Sequence, residues 1–210
     1  MDNRIHTVIF DLDGTLSDSA ILTIEALKTV APNCGLPMLS IEDIRLAMGN
    51  AIPEFYYILF PDHDRDIVHN AGMLVDQEEL RLLPSLSGRL LFDGCRELLE
   101  RLKEKGIRLC IASTGDKDHV FPIMNETGIT RFFDTISCGR PDKAEMRREM
   151  TEGSDKKGCV MLGDMKKDCE GARANGIVSV GACYGYCKKE HSDFDYYISA
   201  PLELLDILKI

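Results

Sequence analysis

The chain has 210 residues, with 35 acidic side chains against 25 basic ones and a formal net charge of −10. That length buries a sizeable core and accommodates one domain with a modest insertion, or two small domains. The acidity speaks against nucleic acid and anionic membranes as partners, because no basic patch is present to meet phosphates in number; a small phosphorylated molecule is still open to it where a metal and a few local cations converge.

The N-terminus runs from Met1 through His6 directly into an apolar stretch, without the roughly 7–15-residue apolar segment of a secretory leader. No window approaches the ~18 apolar residues of a membrane span. A cytoplasmic location is the expectation. The eight cysteines include several inside apolar runs, such as Cys110 between Leu109 and Ile111, where cysteine packs as a small hydrophobe. Cys183 and Cys187 are the closest spaced pair, and no second pair follows to make a zinc site. Reduced thiols are expected.

In chain order, Thr7–Phe10 reads as a buried strand. The next stretch, residues 17–90, contains no clear strand and reads as helices over 19–30, 41–48, 53–59 and 64–83. Alternation then sets in: helix 94–105, strand 108–113, helix 117–127, strand 133–138, helix 143–151, strand 159–163, helix 166–175, strand 178–183, and a possible sixth strand at 196–198. Gly106 and Gly176 stand where helices stop. Strands alternating with helices imply an α/β fold, a Rossmann-like three-layer core with a parallel sheet. The helical segment interrupts that core after its first strand. The expected division is 1–16 with 91–210 for the core and 17–90 for the insertion. The polar stretch 151–157 reads as a surface turn.

Ligands of open α/β sheets bind beyond the carboxyl ends of the strands. The residues there are Asp11, Asp13, Gly14 and Thr15 after the first strand; Ser113, Thr114 and Gly115 after the second; Lys143 a little beyond the third; and Asp164 and Asp168 after the fourth. Asp11 and Asp164 could share magnesium, a hard cation that prefers oxygen ligands. Asp11 could then attack phosphorus, with Asp13 protonating the leaving alcohol and later activating water. Lys143 and the Ser113 hydroxyl would hold the phosphoryl oxygens, with backbone N–H groups as further donors. Each residue alone has an ordinary explanation as a turn, a cap or a solvated charge. The four signals in order, each following an expected strand, favour the chemical reading.

Val8-Ile9-Phe10-Asp11-Leu12-Asp13-Gly14-Thr15-Leu16 resembles the first motif of the haloacid dehalogenase superfamily. Ile111-Ala112-Ser113-Thr114 resembles the second, and Val160–Asp164 with Asp168 the fourth. Gly171-Ala172, Asn175-Gly176-Ile177 and the segment 13–19 are similar to the phosphoglycolate phosphatase-like branch, which also includes β-phosphoglucomutase-like enzymes. The resemblance covers essentially the whole chain. It implies Asp11 as nucleophile, Asp13 as general acid/base that also gives a backbone carbonyl to Mg2+, Asp164 as a direct metal ligand, and Asp168 as a ligand or its support. It implies Ser113, Thr114 and Lys143 for the phosphate, and the 17–90 insertion as a C1-type cap that closes over the site and selects the substrate.

The third motif is ambiguous between Lys143, which opens a helix and precedes Met146 by three positions, and Arg140, which precedes Pro141. Either cation could meet phosphate. In the cap, 47–53 resembles the glycine-containing loop that this branch points into the site, and Arg45 is a candidate for a substrate carboxylate or second phosphate as well as an ordinary exposed helix residue. Tyr56, Tyr57 and Phe60 read as cap core. The five histidines show no ligand spacing and receive no role.

The expectation is a Mg2+-dependent phosphatase acting on a small phosphorylated metabolite, as a monomer, with a dimer open. The alternatives are a phosphosugar mutase, which shares the cap type and both aspartates, and a catalytically inactive binding protein on the same scaffold. Retention of Asp11, Asp13 and Asp164 speaks against the latter. A dehalogenase is disfavoured by the presence of Asp13. Phosphoglycolate, sugar phosphates, nucleotides and pyrophosphate all stay open as substrates.

Overall fold

The computed structural model describes residues 5–140, 143–186 and 193–210. Cys187 and His191, and the Pro141-Asp142 part of the third motif, lie outside the described residues. The elements are β1 (Thr7–Phe10), α1 (Ala20–Asn33), α2 (Ile41–Ala47), α3 (Glu54–Leu59), α4 (Arg65–Leu86), α5 (Cys95–Glu104), β2 (Arg108–Ala112), α6 (Lys117–Glu126), β3 (Thr135–Ser137), α7 (Lys143–Thr151), β4 (Cys159–Gly163), α8 (Lys166–Asn175), β5 (Val178–Ala182), β6 (Tyr196–Ile198) and α9 (Glu203–Leu208).

The six strands form one parallel sheet in the order β3-β2-β1-β4-β5-β6. Beyond Thr7 and Arg108 at their starts, its central strands β1, β2 and β4 carry no polar side chain, because both faces are covered. Their alternate residues divide between two layers, as the period of two demands. Val8 and Phe10 of β1, Leu109 and Ile111 of β2, and Val160 and Leu162 of β4 face a cluster built with α5, α6 and α9. Ile9, Cys110, Ala112, Cys159 and Met161 face the opposite layer, where α7 and α8 supply Met146, Met150 and Ala172. The three-layer core expected from the alternating pattern is present.

The helical segment α1–α4 has its own apolar cluster, including Ala20, Leu27, Ile44, Phe55, Tyr56, Leu59 and Val75. Tyr56, expected as cap core, lies in it. The two chain crossings into this segment are tied together: Asp18 N–H donates to the Leu90 carbonyl at 2.7 Å, and Phe92 N–H to Leu16 at 3.1 Å. The insertion therefore leaves and re-enters the sheet at one place, directly beside the end of β1.

Two cap helices run past their expected ends. α1 reaches Asn33 with Pro32 inside it, and α4 reaches Leu86 with Pro84 inside it. Burial of Ala31 and Leu83 keeps both segments helical through the proline, a tertiary override of local propensity. The short helix α9 was not anticipated. No helix among the described residues is long and apolar enough to cross a membrane. The seven described cysteines are free.

Candidate active site

The strand order reverses direction around β1 and β4, and a crevice opens there at the carboxyl edge. Register explains which residues meet. Phe10 is level with Ile111 of β2 and Leu162 of β4, so Asp11 emerges between Ala112–Ser113 on one side and Gly163–Asp164 on the other. Asp11, Asp164 and Asp168 are buried, and one oxygen of each lies within 4.8 Å of the others.

Two cations of α7 enter this cluster. Lys143 Nζ donates to Asp11 Oδ2 at 2.5 Å and to Asp168 Oδ1 at 2.8 Å. Arg147 donates to Asp168 Oδ1 at 2.7 Å and is wholly buried. Lys143 and Arg147 are four residues apart, so one helix face presents both. Asp168 Oδ2 also accepts the Met165 N–H at 3.0 Å. Asp164 accepts the Tyr186 N–H at 2.9 Å and the Thr15 hydroxyl at 3.2 Å.

Burial pushes the Asp11 carboxyl up to about 7; Lys143 pulls it down, and the Asp168 charge pushes it further up. Burial, then Asp11 and Asp168, raises Asp164 well above the ordinary range. Asp168 is held low despite its burial, because Lys143 and Arg147 outweigh the desolvation. Burial would lower Lys143, but Asp11 and Asp168 hold its ammonium up. Three carboxylates therefore stand against two cations. The donor set is oxygen alone with a net negative charge, which suits a hard divalent ion. Asp11 and Asp164 are the better placed to hold one, since Asp168 is committed to two cations and a backbone N–H.

Asp13 points elsewhere. Its Oδ1 accepts the Ser19 hydroxyl at 2.5 Å and lies 2.9 Å from His119 Nε2. The other ring nitrogen, Nδ1, is 3.8 Å from Glu79 Oε2, and Glu79 Oε1 accepts the Thr23 hydroxyl at 2.6 Å. Burial would raise Asp13, yet His119, Ser19 and Lys143 together hold it below the usual range. Burial would lower His119, yet Asp13 and Glu79 hold it well above 6.5. The side chain of Asp13 thus joins the core, through His119 of α6, to Glu79 of α4 in the cap.

The structure sorts the remaining expectations. Ser113 Oγ is buried and accepts the Gly115 N–H at 3.1 Å. Thr114 is turned towards the cap, donating to the Gly49 carbonyl at 3.4 Å. Arg140 is exposed and paired with Glu149 at 2.7 Å, away from the carboxylates that Lys143 meets. Arg45 pairs with Asp18 at 2.8 Å. Gly14 adopts φ +76°, and a Cβ there would overlap the Asp164 carboxylate and the Tyr186 ring, so the turn after β1 requires glycine.

Sequence reasoning missed His119 and Arg147. His119 was set aside for want of metal-ligand spacing, although it sits in the first turn of the helix after β2, at the edge where the other residues gather. Arg147 received no reading, although it shares a face with Lys143 on a helix whose other buried residues are Met146, Met150 and Thr151.

Residues 8–182 match the family of haloacid dehalogenase-like hydrolases. The chain belongs to that family, on its phosphoglycolate phosphatase-like branch, which places it among the phosphoric monoester hydrolases. It is 28% identical over 193 residues to the phosphoglycolate phosphatase of Pseudomonas savastanoi pv. phaseolicola, covering 85% of this chain and 70% of the relative. It is 25% identical to that of Synechococcus elongatus, over 96% of each. A haloacid dehalogenase-like family hydrolase from Streptococcus pneumoniae superposes with a TM-score of 0.83 at 25% identity over 99% of both chains.

Proposed function

We propose that this hydrolase is a magnesium-dependent phosphatase that passes through an aspartyl-phosphate on Asp11, acting on a small phosphorylated metabolite. The observation that carries the reading is the buried Asp11 carboxylate at the sheet's switch point, flanked by Asp164 on one side and gripped by Lys143 on the other.

Bound by Asp11 and Asp164, with Asp168 and the Asp13 backbone carbonyl as further candidate donors, magnesium would supply the positive charge that lets a carboxylate approach a phosphate dianion. Asp11 attacks phosphorus, and the bond to the leaving alcohol breaks. The alcohol takes a proton through Asp13, whose partner His119 carries one. Asp13 then accepts a proton from water as that water attacks the acyl phosphate, freeing Asp11 and inorganic phosphate. Lys143, pinned by two carboxylates, presents an ammonium for the phosphoryl oxygens, and the Ser113 hydroxyl and the N–H groups after β1 and β2 add donors.

Phosphate release from p-nitrophenyl phosphate and from a panel of phosphorylated metabolites, with and without magnesium, tests this. Asp11→Asn is expected to lower turnover by roughly 10^4-fold or more, as loss of a nucleophile does elsewhere, and to abolish acid-stable phosphoenzyme. A wild-type enzyme inactive on the whole panel with every divalent metal would sink the reading.

A further inference from the structure

The cavity next to Asp13 and Thr114 lies between the cap and the core and measures about 150 Å3. The leaving group of a phosphate attacked by Asp11 must sit here, on the Asp13 side of the phosphorus. An empty space of this size takes a molecule of about the bulk of benzene, roughly six non-hydrogen atoms.

Its walls have a definite electrostatic character. Asp76 and Glu79 of α4 and Asp116 at the start of α6 contribute three carboxylates beyond Asp13, with Tyr56 and Thr23 as hydroxyl groups and His119 as the cation. No lysine or arginine is among the described residues that line it. His119 is already engaged with Asp13 and faces Glu79. Arg45 is committed to Asp18, and Lys167 to the carbonyl of Gly49. The Tyr56 hydroxyl donates to Asp76 Oδ1 at 2.5 Å, and its phenol is pushed up by burial first, then by the charges of Glu79 and Asp76. The phosphate end of the site has its own positive groups, so the negative walls act on the other end of the substrate. An anionic leaving group here would meet carboxylates in a partly buried space, where like charges repel most strongly.

We propose that the substrate is the phosphate monoester of a small alcohol carrying no negative charge, an amino alcohol above a polyol, and that esters with an anionic leaving group are selected against. This rests on the phosphatase reading above. It also means that the glycolate carboxylate in the substrate after which the similar proteins are named, and the second phosphate of a sugar bisphosphate, are poor fits for this cavity.

A charge series of similar size tests it: ethanolamine phosphate, glycerol phosphate and phosphoglycolate, compared by kcat/KM. The expected order is amine, then neutral, then anionic, with at least a tenfold gap between the first and the last. Asp76→Asn keeps an oxygen acceptor for Tyr56 and lies outside the groups assigned to the chemistry. It should narrow the amine-to-anion ratio of kcat/KM at least threefold, the change falling on the charged members of the series and not on the neutral glycerol phosphate. Phosphoglycolate turned over best, or a ratio untouched in Asp76→Asn, overturns the inference and leaves the phosphatase reading intact. Turnover of no member of the series, nor of p-nitrophenyl phosphate, overturns both.

Discussion

At the strand ends, three buried carboxylates are answered by Lys143 and Arg147 from a single helix face. Across the cleft, Asp76, Glu79 and Asp116 answer instead to the Tyr56 and Thr23 hydroxyls and to backbone and ring nitrogens of His119. The first region is arranged to receive an anion and the cation that accompanies it. The second keeps its negative charge uncompensated by lysine or arginine. Under the proposed reading, one site treats the two ends of one substrate oppositely, holding phosphate firmly while discriminating among the alcohols attached to it.

The sharpest way to break the comparison is to remove the cation of the first region. Lys143→Ala should cut kcat/KM by roughly 10^2–10^3-fold, the scale of losing one preorganised charge stabiliser. Arg140→Ala, which removes only a surface partner of Glu149, should stay within about threefold. Steady-state phosphate release measures both, and the reverse order would move the third-motif cation to Arg140.

Arg147→Met tests whether the first region depends on its buried pairing. The substitution leaves Asp168 with Lys143 as its one cation in a dry site, which should cost about 3 kcal/mol of folding stability in urea unfolding. A loss under about 1 kcal/mol would show that Lys143 and the Met165 N–H suffice.

The smallest expected effect concerns the junction between the regions. His119 faces Asp13 from the β1 turn and Glu79 and Asp76 from α4, with Asp116 on its own helix. Because its pKa is raised above 6.5 in the folded state, its contribution is fully present below about 6.5 and is lost as pH rises through the raised value. Asp13, held low, contributes above its ordinary 3.8, and that contribution is lost as pH falls through the lowered value. The stability gap between wild type and His119→Asn should therefore be about 1 kcal/mol near pH 6 and shrink towards pH 10. A gap that widens with pH would mean that the ring is neutral in the folded protein.

The parallel core, with its three layers and the place of the helical insertion, was legible in the sequence. Buried central strands read as unbroken apolar runs, and strand periodicity is local. So was the linear order of Asp11, Ser113, Lys143 and Asp164, because the switch-point rule converts position after a strand into position in space. Three things were decided only by tertiary structure. Which way Asp13 turns depended on α6 and α4 arriving from 106 and 66 residues away in sequence to offer His119 and Glu79. The choice between Lys143 and Arg140 depended on which of the two meets the buried carboxylates: Lys143 reaches Asp11 and Asp168, whereas Arg140 pairs with Glu149 at the surface. The sign of charge around the cavity beside Asp13 depended on the cap's packing, since Asp76 and Glu79 sit in an amphipathic helix where any carboxylate reads as solvated. Local pattern records what each residue needs from its own segment. A charge's partner is fixed by whichever distant segment the fold lays against it.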